Sequence, residues 1–217
     1  EYTLGWTVIF LLLTFAFFAF GYFSGSILFA RIYGSLLNKD IIGKSKDKNP
    51  GTANAFTCGG FFCGTLTLVG DLFKGFIPVF LYLYLTKNAG PGTALVMAAP
   101  ILGHNYSVFY HFTGGKGIAV SFGCLLGLLP YAVPVLILAG VYITLSVAVV
   151  VSPNYYRSIT AYTLVTVIAF FAVEPFGIKT GMGIISALII IKHLASREER
   201  QKIRFSVPLY LFLKRRY

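Results

Sequence analysis

Apolar residues come in long blocks along this chain, separated by short polar stretches. The blocks cover residues 4–29, 60–85, 93–112, 118–129, 131–151, 158–173 and 178–194. Their lengths bracket the roughly 20 residues that an α-helix needs to cross a hydrocarbon layer. The pattern predicts an all-α integral membrane protein of seven transmembrane helices, one polytopic domain over residues 1–217. The first block lacks a basic flank and a small-residue cleavage site, and similar blocks follow it, so it reads as a retained helix rather than a signal peptide. Block 118–129, before Pro130, rises only about 18 Å at 1.5 Å per residue, roughly 12 Å less than the hydrocarbon thickness. Either the glycine-rich loop before it dips below the membrane surface, or that helix starts earlier, or the membrane adapts.

Composition agrees with the block pattern. With 57% hydrophobic and 12% charged residues, the chain is too apolar for an ordinary soluble domain, and its mean hydropathy is +0.78. A net charge of +11 raises the question of a nucleic-acid partner. Most of the 18 Lys and Arg, however, gather in residues 31–48 and 192–216, in a loop and a tail. Positive charge left on the cytosolic side explains that distribution without nucleic acid, and the same charge attracts anionic lipid or substrate. Placing the 31–48 loop inside puts the N-terminus outside. Alternation through seven spans then brings Lys116, Arg157 and the basic tail to the cytosolic side as well, giving a cytosolic C-terminus. Cys58, Cys63 and Cys124 make neither a disulfide framework nor a metal-ligand spacing.

Candidate chemistry gathers at the joins between blocks. Gly114-Gly115-Lys116-Gly117 surrounds one lysine with three glycines, so backbone amides, a following helix N-terminus and the ammonium could converge on a phosphate. A plain cytosolic turn is the alternative. His104, just upstream, is a candidate proton acceptor or hydrogen-bond donor to an acyl-phosphate oxygen, or a packing residue. Asp71 and Lys74 place opposite charges at i and i+3 in an apolar block, lining a recess or forming an internal ion pair. Asn49, Gly51 and Asn54 lie about a Pro-Gly turn, where carboxamides could hold hydroxyls or phosphate oxygens; Asn54 or Thr57 could instead cap the next helix. Gly21, Gly25 and Ser26, like Gly123 and Gly127, suit close helix packing, and the planar fork of Arg31 suits phosphate. No Gly-x-Ser-x-Gly elbow, Walker loop, His-Glu-x-x-His, Cys-x-x-Cys or His-x4-Asp acyltransferase motif occurs.

Four of these stretches together resemble the PlsY family: Gly25-Ser26-Ile27 with Ala30-Arg31, Lys48 to Asn54, Leu72-Phe73-Lys74-Gly75, and Gly103-His104 with Phe112 to Gly117. That resemblance implies a bacterial cytoplasmic-membrane acyltransferase moving a fatty acyl group from acyl phosphate to glycerol 3-phosphate, with lysophosphatidic acid as product and no metal or nucleotide cofactor. It implies His104 and Lys116 as catalytic residues. Substrate binding would fall to Ser26, Arg31, Asn49, Gly51, Asn54, Asp71, Lys74, Gly114, Gly115, Gly117 and His193, with membrane lipids around the bundle. The chain departs from the family pattern at Asp47, Thr57, Thr113 and Ser196. Those departures keep open an acceptor lacking phosphate, and polytopic composition alone would also suffice for a transporter or a non-catalytic lipid-binding membrane protein.

Overall fold

A computed structural model describes residues 2–196, 198 and 200–207; the end of the basic tail, residues 208–216, lies outside them. Each of the seven apolar blocks contains a helix. α1 (Tyr2–Ser26) carries no acidic residue in its first turn and no basic residue in its last, and has apolar side chains on most faces. It spans about 37 Å, and Trp6 and Phe15 are more than 70% exposed on its outside. α5 (Phe61–Thr86) and α10 (Phe176–Leu194) are likewise long and apolar enough to cross a membrane. Between them come α6 (Pro91–Asn105), α7 (Ile118–Leu126), α8 (Val133–Ile143), which runs into a π-helical turn at Thr144–Ala148, and α9 (Asn154–Ala172).

The core lies where α5 to α10 meet. Val79, Tyr82, Met97, Ile101, Val120, Leu138, Tyr162, Ile178, Met182 and Ile189 are almost wholly buried there. Large apolar side chains also cover the outside, among them Phe61, Leu136 and Phe171, as expected where lipid rather than water is the surrounding medium. Close packing then depends on backbone approach instead of area withdrawn from water. Two glycine contacts make this concrete. A Cβ on Gly25 would collide with the Pro100 carbonyl oxygen, and one on Gly103 with that of Tyr22, so α1 and α6 touch along their backbones. Gly75 and Gly123 do the same for α5 and α7, against the carbonyl oxygens of Val120 and Leu72.

Three expectations need correction. The polar stretch 31–54 is not an open loop: α2 (Phe29–Leu36), α3 (Ile41–Lys44) and α4 (Thr52–Gly59) occupy much of it. α3 is started by the Asp40 carboxylate, which accepts from the Gly43 amide at 2.8 Å. Neither Asn54 nor Thr57 caps the next helix. α4 begins at Thr52 behind Gly51, and Thr57 Oγ1 donates back to Ala53 O. The chain is also not purely α-helical. Block 131–151 ends in a strand, β1 (Val150–Ser152), paired antiparallel with β2 (Arg204–Ser206). Two adjacent valines favour extended backbone, and this ribbon brings the segment after α10 back across the mouth of the bundle.

Candidate active site

A cavity of about 1220 Å³ opens between α4, the loop before α7, and the starts of α9 and the C-terminal segment. Its lining includes Asn49, Gly51, Asn54, His104, Lys116, Gly117 and His193 from the sequence reading, with Leu68, Ile118 and Phe122 as an apolar wall. The loop from Tyr106 to Gly117 is folded back onto the end of α6. Gly115 N donates to His104 O at 3.0 Å, and Tyr22 Oη to Tyr106 O at 2.9 Å. Only glycine fits here: a Cβ on Gly115 would run into His104 Nε2, and one on Gly114 into His104 O. Gly117 turns with φ +80°, in the left-handed region.

Behind the cavity wall lies a buried charge cluster. Lys74 Nζ is 2.7 Å from Asp71 Oδ1, 2.6 Å from Ile27 O and 2.8 Å from His104 Nδ1. An ammonium has no lone pair, so across the 2.8 Å contact His104 Nδ1 must accept. The His104 proton therefore sits on Nε2, the atom beside the Gly114–Gly117 loop. In that tautomer Nε2 presents a donor toward the loop. Asp71 Oδ2 accepts from Thr52 Oγ1 at 2.8 Å, tying the start of α4 to the same cluster. His193 is set the other way. Its Nδ1 lies 2.9 Å from Ile189 O, and since a carbonyl only accepts, the neutral ring keeps Nε2 as its acceptor.

Lys116 belongs to a second, more open cluster. Its Nζ donates to Asp47 Oδ2 at 2.8 Å and to Glu198 Oε2 at 2.5 Å. Asp47 Oδ1 accepts from Asn54 Nδ2 at 2.8 Å and from Asn49 N at 3.3 Å, so this carboxylate organises the Asn49–Asn54 turn. Burial by itself would raise the Asp47 carboxyl, but the hydrogen bonds from Lys116 and Asn54 and the ammonium charge outweigh it and hold it below 3.8. Burial would likewise lower Lys116, yet Asp47 and Glu198 lift it above 10.5. Both groups are charged at neutral pH.

The remaining expected residues stand elsewhere. Asp71, Lys74, Gly114 and Gly115 lie behind the lining and shape it. Ser26 is buried, its hydroxyl on Tyr22 O and its carbonyl on Ser107 Oγ, an α1 contact to the returning loop. Arg31 stacks its guanidinium over Tyr110, 4.8 Å from the ring centre, outside the cavity lining. Conversely, Arg157, Ser158, Tyr142 and Glu198 do line the cavity, and the sequence reading singles out none of them as a site residue. The available signal is that Arg157-Ser158 stands at the polar edge of an apolar block.

An apolar helical shell around a cavity lined by lysines, histidines and carboxamides is that of an integral-membrane protein built to handle a polar, anionic group. The family profile described as glycerol-3-phosphate acyltransferase matches residues 15–202, and the chain belongs to that family. Among curated relatives, the glycerol-3-phosphate acyltransferase of Chromobacterium violaceum is 34% identical over 180 residues, 82% of this chain and 85% of the relative. That of Bordetella petrii is 33% identical over 188 residues, with the same coverages of 82% and 85%. The crystal structure of PlsY, an integral membrane glycerol 3-phosphate acyltransferase, in its glycerol 3-phosphate form superposes with a TM-score of 0.72. It shares 29% identity, with 83% of this chain and 88% of that one covered. The lysophosphatidic acid form gives a TM-score of 0.68 at the same identity, covering 83% and 87%.

Proposed function

We propose that this protein transfers a fatty acyl group from acyl phosphate to glycerol 3-phosphate, producing lysophosphatidic acid and inorganic phosphate. One observation carries the reading: Lys116, His104 and the Asn49–Asn54 turn line one cavity with an apolar wall. An acceptor hydroxyl oxygen attacks the acyl carbonyl carbon, the bond from that carbon to the phosphate oxygen breaks, and the hydroxyl proton leaves with the phosphate or through His193 Nε2. Lys116 and the loop amides hold a phosphoryl group, and His104 Nε2–H donates to the carbonyl oxygen as it gains charge. Asn49 and Asn54 hold the acceptor. Asp71 and Lys74 act at one remove, by fixing the His104 tautomer. Orientation of two reactants in one recess contributes further, up to roughly 7–11 kcal/mol in well-oriented systems.

The same reading places the chain as one domain crossing the bacterial cytoplasmic membrane seven times, N-terminus outside and C-terminus in the cytosol. Lys44, Lys46, Lys116 and Arg157, from three separate polar stretches, all reach the same cavity, which supports a single cytosolic face. α7 has only nine residues, about 14 Å of helix, so the Gly114–Gly117 loop sits in a recess below that face. Acyl phosphate, glycerol 3-phosphate and membrane lipids are the partners. Purified protein given palmitoyl phosphate and glycerol 3-phosphate should form lysophosphatidic acid, identified by mass spectrometry. Acylation of a non-phosphorylated acceptor alone would overturn the assignment.

A further inference from the structure

Arg157 is a cavity cation that the reaction scheme above leaves unused, as it does Lys44 and Lys46, and the one of the three held in place by named contacts. It projects from the first turn of α9, where Nε donates to Val151 O at 3.0 Å and Nη1 lies 3.5 Å from Ser146 Oγ. Val151 is the middle residue of β1, pinned by Phe205 of β2, so the guanidinium is anchored to a strand and does not swing freely. A guanidinium has five N–H donors, and these contacts engage two. Among the described residues no carboxylate lies within ion-pair distance of Arg157, whereas Lys116 is held by two. Next to it, Ser158 shares a hydrogen bond of 2.8 Å with Tyr142 Oη, and both line the cavity.

Charge accounting makes this arrangement consequential. Acyl phosphate and glycerol 3-phosphate each bring a phosphoryl group into one cavity, and an ammonium already shared by two carboxylates offers little net charge to the second. A planar, permanently charged fork with free donors is the side chain best suited to a phosphoryl group. We propose that Arg157 is a phosphate-binding residue of this cavity, taking the phosphoryl oxygens of one substrate while the Lys116 loop takes those of the other. The proposal rests on the acyl-transfer reading for its second phosphate, and its test separates the two.

Full-length protein in detergent is titrated calorimetrically with inorganic phosphate and with glycerol 3-phosphate, as wild type, Arg157→Gln and Arg157→Lys. KM is then measured for each substrate in turn. If Arg157 holds the acceptor, Arg157→Gln weakens glycerol 3-phosphate about tenfold to a hundredfold and leaves the KM of palmitoyl phosphate alone; if it holds the donor, the pattern reverses. Arg157→Lys keeps the charge without the fork and falls between, which a role confined to bracing Val151 would not produce. Unchanged affinities and KM values in an Arg157→Gln protein that melts like wild type overturn the proposal. So does a fall in kcat with both KM values unaltered. Should wild type transfer no acyl group, the phosphate titration still decides: loss of phosphate binding in Arg157→Gln upholds it, and equal or absent binding in both proteins refutes it.

Discussion

Lys74 and Lys116 are both lysines paired with aspartate beside the same cavity, but they sit in opposite surroundings. The Lys74 side chain is 2% exposed, ion-paired with Asp71 and hydrogen-bonded to Ile27 O and His104. The Lys116 side chain is 12% exposed and is shared by Asp47 and Glu198, the latter 23% exposed on the C-terminal segment. A buried ammonium enclosed by such partners can only position its neighbours. An ammonium held by a carboxylate on a peripheral segment can exchange that carboxylate for a substrate phosphate. In the proposed mechanism the difference separates a residue that sets geometry from one that binds.

The largest effect should follow from breaking the buried pair. Lys74→Met leaves Asp71 charged and uncompensated, and denaturant unfolding in detergent should show a loss of about 3–5 kcal/mol. Lys74→Met with Asp71→Leu should recover most of that stability without recovering turnover, since His104 has lost the donor that fixes its tautomer. Equal stability losses in the single and double variants would count against an ion-pair role. Next comes His104→Ala, expected to lower kcat by about a hundredfold to a thousandfold with KM little changed, the mark of a donor that acts as charge develops. A raised KM at constant kcat would make it a simple binding residue.

At the open cluster the expected change has the opposite sign. Glu198→Gln frees Lys116 of one competitor and should lower the KM of a phosphorylated substrate by about tenfold, some 1.4 kcal/mol; a higher KM would mean that Glu198 supports the site. The smallest effect is on pH dependence. Asp47 is depressed below 3.8, so its stabilisation is present above that value and is lost as pH falls through the lower folded value. Lys116 is raised above 10.5, so its share is complete below that value and is lost as pH rises through the higher folded one. The stability difference between wild type and Lys116→Met should therefore stay flat from about pH 5 to about pH 9, near 1 kcal/mol, and shrink at both extremes. A slope inside that window would contradict the pairing.

The parts of this molecule carried by local pattern were legible before any coordinates. Apolar block length located every long helix, and the i, i+3 spacing of Asp71 and Lys74 left an ion pair as one of two readings, the one their 2.7 Å contact matches. Gly25 of α1 and Gly123 of α7 pointed to close backbone contact, whereas Gly103 of α6 did not. What depended on distant partners was not legible. Glu198 meets Lys116 across 82 positions, and β1 exists because β2 returns to pair with it. The tautomer of His104 follows from a lysine 30 positions away. Arg31 looked suited to phosphate by its fork, but Tyr110 takes its face.

The proposed role of Lys116 as the exchangeable cation of this site is tested by one kinetic comparison, in which Asp47 loses its ammonium only in the double variant and keeps its hydrogen bonds from Asn49 N and Asn54 in both. Glu198→Gln and the double variant Lys116→Gln with Glu198→Gln are given palmitoyl phosphate and glycerol 3-phosphate, and lysophosphatidic acid formation is followed. The single variant should keep or improve kcat/KM, and the double variant should lose at least about a hundredfold, the size of effect expected for one charge-assisted contact to the reacting group. Equal kcat/KM in the two variants would contradict that role.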